Sequence, residues 1–357
     1  MINNKTIIAI THGDINGISY EIILKTFAEP RVYDDFVPVI YGSSKAAGYY
    51  RKLLDLQAVN LNVVNSIDEI HLKKVNLINC TDEELKVDMG NATEEAGRAA
   101  LSALERATED MMKGTVDAIV TAPINKKTIQ GDEFNFPGHT EYLEAKFGNG
   151  TPALMLMIND VMRVAVVTGH IPVNEIAAKL NTELILEKLR VFNQSLKEDF
   201  TIIRPRIAVL GLNPHAGEDG LLGDEEKTII QPALEAAEKE GILCMGPYPA
   251  DGFFGSGYFN KFDGVLAMYH DQGLIPFKAI SMESGVNYTA GLPIVRTSPA
   301  HGTAYQIAGQ NVASEESFRQ ALFMAYDVFH SRIRNHEIAS NPLKVEVKKE
   351  RGGPRIA

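Results

Sequence analysis

The 357-residue chain predicts a wound α/β fold. Short runs rich in β-branched residues alternate with longer segments whose apolar residues recur at helical spacing, which is typical of parallel strands joined by helices. Hydrophobic residues make up 45% of the chain and charged residues 23%. This balance is ordinary for a globular enzyme, and the length suffices for two domains or one large one.

Seven apolar runs, each followed by a turn or a loop, predict strands of the sheet. They lie at 5–11, 37–41, 76–78, 118–121, 163–168, 206–210 and 264–268. No linker separates two halves of the chain, so we expect any two domains to share one continuous sheet or to exchange chain segments.

Four segments between and after these runs predict helices. Segment 93–113 begins with Thr93 as an N-cap, followed by two glutamates that favour a helix start. Segment 181–200 carries leucines at helical spacing, and segment 228–240 tolerates Pro232 in its first turn. A final helix follows Ser314, with one apolar face that comprises Phe318, Leu322, Ala325 and Phe329.

The net charge of −11 argues against a nucleic-acid-binding surface and against a membrane-surface patch. No segment approaches the length of a membrane span, and the first apolar run is too short for a signal peptide. Cys80 and Cys244 lie in apolar contexts that favour reduced thiols, so we expect a cytoplasmic protein. Residues 342–357 are polar and basic, which predicts a flexible tail.

Three histidines each occur where an apolar run ends in a glycine- or proline-containing loop. They are His170, His215 and His270. Strand ends meet at the ligand-binding edge of an α/β sheet, and three imidazoles there can hold a divalent metal with positions open for substrate. The alternative for each histidine is a solvated loop residue, because spacing alone does not show that the three side chains meet.

Further polar side chains follow other predicted strands. The turn at 121–127 either presents Asn125 and Lys126 to a ligand or is simply solvated. The turn at 136–141 places His139 and Thr140 where they can bind a phosphate or another polar group. Converging lysine and arginine side chains anchor phosphates and carboxylates, and the candidates are Lys278 and Arg296, with Asn287 between them. The chain contains neither a dinucleotide-binding glycine motif nor a P-loop.

Taken together, these motifs resemble the 4-hydroxythreonine-4-phosphate dehydrogenases of vitamin B6 biosynthesis. The resemblance runs from Thr11 to about Phe329. It rests on TAPINK (121–126), PGHTE (137–141), TGH (168–170), GLNPHAGE (211–218), GPYPAD (246–251), AMYHDQG (267–273), GLPIVRTS (291–298) and HGTA (301–304). Residues 13–21 read GDINGISYE where the family usually has GDPAGIGPE, which leaves cofactor preference and substrate identity open.

The resemblance implies an isocitrate/isopropylmalate dehydrogenase-like fold with two α/β domains and a cleft between them. The first domain would comprise 1–127 plus 303–341 on the cofactor side. The second, 128–302, would supply the metal, substrate and dimer contacts. The implied assembly is a homodimer whose active site is shared between chains, for instance with His170 and His215 from one chain and His270 from its partner.

The resemblance also implies residue roles. His170, His215 and His270 would be metal ligands, with Zn²⁺ favoured by an all-imidazole set and Mg²⁺, Mn²⁺ or Co²⁺ as alternatives. The substrate and its phosphate would bind to His139, Thr140, Lys278, Asn287 and Arg296. NAD or NADP would contact Asp14, Gly17, His301, Gly302 and Thr303. The candidate catalytic residues are Lys278, Asp251 and Asp271.

The implied reaction is oxidation of 4-phosphohydroxy-L-threonine to a 3-keto acid, which decarboxylates to 3-amino-2-oxopropyl phosphate. One alternative keeps the chemistry and changes the substrate to another four-carbon acid phosphate, threonate or erythronate 4-phosphate. A second alternative is a zinc hydrolase, because three histidines with an open coordination position also suit water activation.

Overall fold

The computed structural model describes residues 5–82, 84–132, 134–281 and 283–340. The predicted tail at 342–357 lies outside these ranges. Twelve strands form one sheet in the order β3-β4-β2-β1-β5-β12-β11-β6-β7-β10-β8-β9. The strands are β1 (Thr6–Thr11), β2 (Phe36–Gly42), β3 (Leu61–Val64), β4 (Val75–Asn79), β5 (Ala118–Thr121), β6 (Leu154–Ile158), β7 (Arg163–Thr168), β8 (Ile207–Leu210), β9 (Cys244–Tyr248), β10 (Gly264–Tyr269), β11 (Val286–Ala290) and β12 (Val295–Pro299).

The sheet consists of two parallel groups that run in opposite directions. Strands β3, β4, β2, β1, β5 and β12 are parallel to one another, and so are β7, β10, β8 and β9. Between the groups, β11 is antiparallel to both β12 and β6, and β6 is antiparallel to β7. The sheet is therefore continuous across the two predicted domains, whose bounds stay a prediction.

Ten α-helices connect or flank the strands in the described part of the chain. They are α1 (Ser19–Thr26), α2 (Ser44–Leu53), α3 (Glu94–Met112), α4 (His139–Phe147), α5 (Ile176–Lys179), α6 (Thr182–Glu198), α7 (Gln231–Lys239), α8 (Ala250–Gly255), α9 (His270–Ser281) and α10 (Glu316–Ser340). A π-helical turn, Glu226–Ile230, leads into α7. None of these helices is long and apolar enough to cross a membrane.

Three of the four predicted helix starts are confirmed by capping hydrogen bonds, whereas the helix predicted at 228–240 is α-helical only from Gln231, after a π-helical turn. The Thr93 side chain accepts the Ala96 N–H, and the Asn181 side chain accepts the Leu184 N–H. Ser314 Oγ accepts the Glu316 N–H at the start of α10. These bonds satisfy backbone donors that have no partner within the first helical turn.

All seven predicted strands are present, but five further strands were not predicted: β3, β6, β9, β11 and β12. Strand β6 reads LMLMI and contains a single β-branched residue. Strand β11, VNYTA, alternates over only five positions, and β12, VRTSP, has three polar residues in a row. Such short runs are ambiguous from periodicity alone. Two of these strands, β11 and β12, carry predicted site residues.

The main core lies between the sheet and the helices that cover it. Helix α10 packs against β12, β5 and β11, and it also contacts α1. Its buried face includes Phe318, Leu322 and Ala325, as the sequence predicted, whereas Phe329 is only partly buried. This packing fixes the three central strands on which the candidate site is built.

Candidate active site

The three predicted histidines follow the carboxyl ends of three neighbouring parallel strands. His170 follows β7, His270 directly follows β10, and His215 lies in the loop after β8. These strands are adjacent in the order β7-β10-β8. The sequence prediction that each histidine lies just beyond a strand end is confirmed. The loop expected at His270 is wrong, because His270 is the first residue of α9, which accommodates Gly273 and Pro276.

His170 and His270 lie side by side in one chain, with ring centroids 5.6 Å apart. The Lys126 ammonium donates to His170 Nε2 over 3.2 Å. Burial and the nearby Lys126 charge lower the pKa of His170. His270 Nδ1 lies 2.7 Å from the Asp271 carboxylate. A proton on Nδ1 that bonds to this carboxylate leaves Nε2 free as a metal-binding nitrogen.

His215 lies on a loop with an unusual backbone. Five consecutive residues, 215–219, adopt left-handed φ values between 41° and 80°, and only Gly217 among them is a glycine. Left-handed backbone costs roughly 1–2 kcal/mol for each residue that has a Cβ atom, so the surrounding structure must hold this turn. The His215 side chain is exposed and does not line the cavity described below.

A cavity of about 290 Å³ lies beside His170 and His270. Its wall includes alternate residues of three adjacent strands, and alternate residues share a face of a sheet. Asn287 on β11 is paired in register with Met157 on β6 and with Ser298 on β12. The remaining wall includes Thr121, Lys126, His139, Thr140, Glu141, His170, His270, Lys278, Arg296, His301 and Gly302.

Arg296 is the most deeply buried cation of this cavity, with an exposed fraction of 3%. Its guanidinium donates to the Thr121 and Thr289 hydroxyls and to His139 Nδ1. No carboxylate lies within ion-pair distance in the described part of the chain, and burial lowers the pKa of Arg296 to about 10. The group is therefore a buried cation suited to an anionic ligand.

Two histidines of the cavity present opposite hydrogen-bonding groups. Because a guanidinium only donates, His139 Nδ1 accepts from Arg296, and His139 Nε2 carries the proton. His301 Nδ1 donates to the Gly302 carbonyl, so Nε2 is an acceptor. Burial lowers the pKa of both imidazoles. Both Nε2 atoms, and Oδ1 of Asn287, lack hydrogen-bond partners among the described residues.

The predicted substrate residues therefore come together, whereas the predicted catalytic residues separate. Lys278 and Thr140 line the cavity. Asp271 does not line it but hydrogen-bonds to His270, which does. Asp251 is exposed on α8 and lies outside the cavity wall of its own chain. The catalytic assignment of these three residues stays a prediction.

The predicted cofactor residues also form one group. His301 and Gly302 line the cavity, and the Ile18 N–H donates to the Thr303 carbonyl. A Cβ atom on Gly17 would lie only 2.4 Å from that carbonyl oxygen. Asp14 accepts a 2.6 Å hydrogen bond from Tyr305, and burial raises the pKa of its carboxyl group. The first loop thus packs on the loop at 301–305.

The four unusual residues of the first loop are buried and do not face the cavity: Ile15, Asn16, Ser19 and Tyr20. Asn16 hydrogen-bonds to Asn91, Thr93 and the Asp88 N–H. Tyr20 both donates to and accepts from the Ser43 backbone. These residues therefore fix the loop to neighbouring segments of the chain, and the cavity wall is built without them.

Sequence reasoning missed Thr121, Glu141 and Ser298 as parts of the site. Thr121 and Glu141 occur in motifs that the sequence already singled out, TAPINK and PGHTE. Lys126 was considered as a ligand contact, and its bond to His170 now places it at the cavity. Ser298 ends the quoted motif GLPIVRTS, but it lies on a strand that was not predicted, so its place in the cavity wall was not recognised.

The donor set suits a metal that prefers imidazole, but one chain does not complete it. His170 and His270 are adjacent, and His270 has the carboxylate partner typical of metal-bound histidines. Among the described residues of a single chain, no group of three histidine, cysteine or acidic side chains is arranged to hold a metal. The metal assignment of the three histidines therefore stays a prediction.

Comparison with known proteins identifies the family. The model of the pyridoxal phosphate biosynthetic protein PdxA matches residues 34–325. The chain belongs to this family. It is 58% identical to a 4-hydroxythreonine-4-phosphate dehydrogenase of Bacteroides thetaiotaomicron, over 98% of this chain and 96% of that protein. The resemblance seen in the motifs is confirmed, and the expected class of enzyme, a dehydrogenase, agrees with the names of the relatives.

Solved structures agree with the family and the fold. A 4-hydroxythreonine-4-phosphate dehydrogenase of Klebsiella pneumoniae is 34% identical, with a TM-score of 0.77, and covers 91% of this chain and 100% of that chain. An isocitrate dehydrogenase of Methylococcus capsulatus is 11% identical, with a TM-score of 0.50, over 94% of this chain and 89% of that one. The predicted isocitrate dehydrogenase-like fold is confirmed.

Proposed function

We propose that the protein oxidises 4-phosphohydroxy-L-threonine with NAD⁺ or NADP⁺ to the 3-keto acid, which loses CO₂ to give 3-amino-2-oxopropyl phosphate. The observation that carries this proposal is the buried Arg296 guanidinium, which lies in the same cavity as two adjacent imidazoles and has no carboxylate within ion-pair distance among the described residues. Such a cavity provides one region for an anionic group and another for a reacting oxygen. The family membership supports the same reaction.

The phosphate is assigned to the cationic part of the cavity. Arg296 supplies a buried guanidinium, and the His139 Nε2–H is an unused donor beside it. Lys278 lies in the same wall and adds a second cation. Binding energy from the phosphate orients the carbinol carbon towards the nicotinamide, which accepts the hydride.

The metal is assigned to His170, His215 and His270. A divalent ion held there would supply a Lewis acid for the negative charge that develops on the substrate oxygen. The imidazole donors favour Zn²⁺, and Co²⁺, Mn²⁺ or Mg²⁺ are the alternatives. Asp271 orients the His270 ring through the 2.7 Å contact with Nδ1.

A homodimer would complete this site. One chain lacks a third ligand beside His170 and His270 in its described part. Large apolar side chains that follow the three histidines in the sequence are also exposed: Val173 is 81% exposed, Leu221 77% and Ile275, on α9, 64%. Exposed large apolar side chains favour contact with another protein chain. A second copy would cover them and supply the missing imidazole.

Mixed dimers test this arrangement. Three inactive variants, His170→Ala, His215→Ala and His270→Ala, are refolded together in pairs. Suppose that one of the three histidines in each site comes from the partner chain. When the variant that lacks this histidine is mixed with either of the other two variants, each mixed dimer has one site with both lesions and one intact site. Random pairing makes about half the dimers mixed, so about a quarter of wild-type activity returns in two of the three mixtures. The histidine common to those two mixtures is the partner's ligand.

Recovery in none of the three mixtures would show that all ligands come from one chain. Wild-type chain unfolded and refolded in the same way is the control for refolding, and each variant refolded alone gives the residual activity. The proposal does not fix which of the three histidines comes from the partner chain. The pattern of recovery in the three mixtures identifies it.

The reaction itself is tested by NAD(P)H absorbance together with CO₂ release. We expect 4-phosphohydroxy-L-threonine to give both signals. A relative from Oceanobacillus iheyensis, 37% identical over 91% of this chain and 98% of that protein, is provisionally named a D-threonate 4-phosphate dehydrogenase. Threonate and erythronate 4-phosphates are therefore assayed in parallel. Faster turnover of either would replace the substrate, and phosphate-ester hydrolysis without NAD(P)⁺ reduction would favour a zinc hydrolase.

A further inference from the structure

We propose that Thr168, Gln272 and Glu226 form a hydrogen-bonded brace that sets the positions of the three histidines at the ends of β7, β10 and β8, with Glu226 as the positioning residue for His215. This inference rests on the proposed metal site. The three side chains link the strand ends in the order β7, β10 and β8, which is also their order in the sheet. None of them lines the cavity in the described part of the chain.

Thr168 and Gln272 connect the strand ends that precede His170, His270 and His215. Thr168, two residues before His170, donates its hydroxyl to the Met268 carbonyl over 2.8 Å. The Met268 N–H donates to Gln272 Oε1 over 2.7 Å, which closes the turn that carries His270. Gln272 Nε2 then donates over 2.6 Å to the Gly211 carbonyl, where the His215 loop begins. The three strand ends are therefore tied by side chains as well as by the sheet.

Glu226 holds the other side of the His215 loop. Its carboxylate is 4% exposed, and one oxygen accepts the Leu212 and Asn213 N–H groups over 2.8 and 2.7 Å. The other oxygen accepts the Asn213 side-chain amide over 3.0 Å. Three donors to one buried carboxylate fix the backbone two and three residues before His215.

The packing around this carboxylate explains the glycines of the loop. A Cβ atom on Gly217 would lie 2.6 Å from Glu226 Oε2, and one on Gly211 would lie 3.1 Å from Oε1. The left-handed turn at 215–219 therefore closes directly over the carboxylate. Glu226 itself lies in the π-helical turn before α7, a feature that is often found at functional sites.

A buried carboxylate could stabilise the fold without serving the site, and the two roles differ in what they change. A purely stabilising residue alters the free energy of unfolding and leaves metal affinity untouched. A positioning residue alters the geometry of His215 and therefore metal affinity, even in protein that remains folded. Partners of metal-binding histidines typically contribute 10- to 100-fold to metal affinity.

The experiment measures Co²⁺ affinity of the full chain after removal of metal, by titration followed in the visible spectrum and by competition with a chelator. Glu226→Gln keeps the size of the side chain but replaces one carboxylate oxygen with an NH₂ group. This group donates, and it would face the Leu212 and Asn213 N–H groups or the Asn213 side-chain amide, which also donate. We expect the Co²⁺ affinity of this variant to fall roughly 10-fold, the lower end of the range for direct partners, because Glu226 acts on His215 through the backbone. Faster hydrogen exchange of the Leu212 and Asn213 amides should accompany this loss, with amides of β1 and β2 unchanged. The charge-matched control, Glu235→Gln on exposed α7 surface, should leave affinity and exchange unchanged.

Gln272→Leu tests the part of the brace between β10 and β8. It also keeps the proposal testable if Glu226→Gln does not fold. It removes the bonds to Met268 and Gly211, and we expect a Co²⁺ affinity loss of the same order. Unchanged affinity in either folded variant, while His215→Ala loses Co²⁺, would overturn the brace and leave the metal site standing. Unchanged affinity in His215→Ala would instead overturn the metal assignment, and this inference with it.

Discussion

Arg296→Met gives the sharpest test of the phosphate assignment. The substitution removes a buried cation and leaves an unbranched apolar side chain in its place. The guanidinium has no carboxylate within ion-pair distance among the described residues, although the charge of Glu141 in the same cavity wall opposes the lowering of its pKa by burial. An anionic ligand can therefore pair directly with this cation. Because burial lowers the pKa of Arg296 only to about 10, the group stays protonated at neutral pH.

The size of the effect follows from these contacts. Hydrogen bonds to charged groups contribute on the order of 1.5–3 kcal/mol, which corresponds to about a 10- to 150-fold weaker binding of the phosphorylated substrate. The hydroxyls of Thr121 and Thr289 and the His139 ring hold the guanidinium in one orientation, so little entropy is lost on binding. The upper part of this range is therefore expected.

Calorimetric titration with the phosphorylated substrate, with inorganic phosphate and with NAD(P)⁺ measures the effect separately for each ligand. We expect substrate and phosphate to lose affinity together, while NAD(P)⁺ changes little. Arg206→Met is the control, because Arg206 is exposed and paired with Asp263. Equal losses for substrate and cofactor, or an unchanged phosphate affinity, would refute the assignment of Arg296 to the phosphate.

Three further predictions follow from other parts of the structure. His215→Ala should keep its fold, because the side chain is exposed, yet lose bound metal and turnover; retention of both would remove His215 from the site. Gly17→Ala should raise the KM for NAD(P)⁺ and leave phosphate affinity unchanged, because the new Cβ atom would clash with the Thr303 carbonyl oxygen. In the control, Gly48→Ala, no described atom lies within 4 Å of the new Cβ, so neither the KM nor the phosphate affinity should change. Burial lowers the pKa of His12 to about 4, so the unfolded chain takes up a proton between about pH 6.5 and 4 that the folded chain does not, and stability is lost as the pH falls through that window. Between about pH 7.5 and 5.5 this group should contribute a loss of about 1 kcal/mol in urea unfolding, which His12→Gln should abolish; an identical pH dependence in the variant would refute this account.

Sequence alone determined the features that depend on neighbouring residues. The alternation of short apolar runs with helical segments predicted the α/β class, and Thr93 and Asn181 marked the starts of α3 and α6. Each of the three histidines was correctly expected just beyond a strand end, because the end of an apolar run is visible in the sequence. These inferences succeed because strand and helix periodicity and helix capping act within a few residues.

Tertiary structure decided which of these side chains meet. Arg296 finds Thr121 at a separation of 175 residues, and Gln272 finds the Gly211 carbonyl at a separation of 61. Strands β11 and β12 escaped prediction because their short polar–apolar runs become strands only when neighbouring strands satisfy their backbone hydrogen bonds. Within one chain His170 lies beside His270, but the described residues do not bring three metal-binding side chains together. No local sequence pattern could indicate this. The physical reason is that sheet order and packing, which bring distant residues together, are set by the burial of the whole apolar surface and not by any single segment.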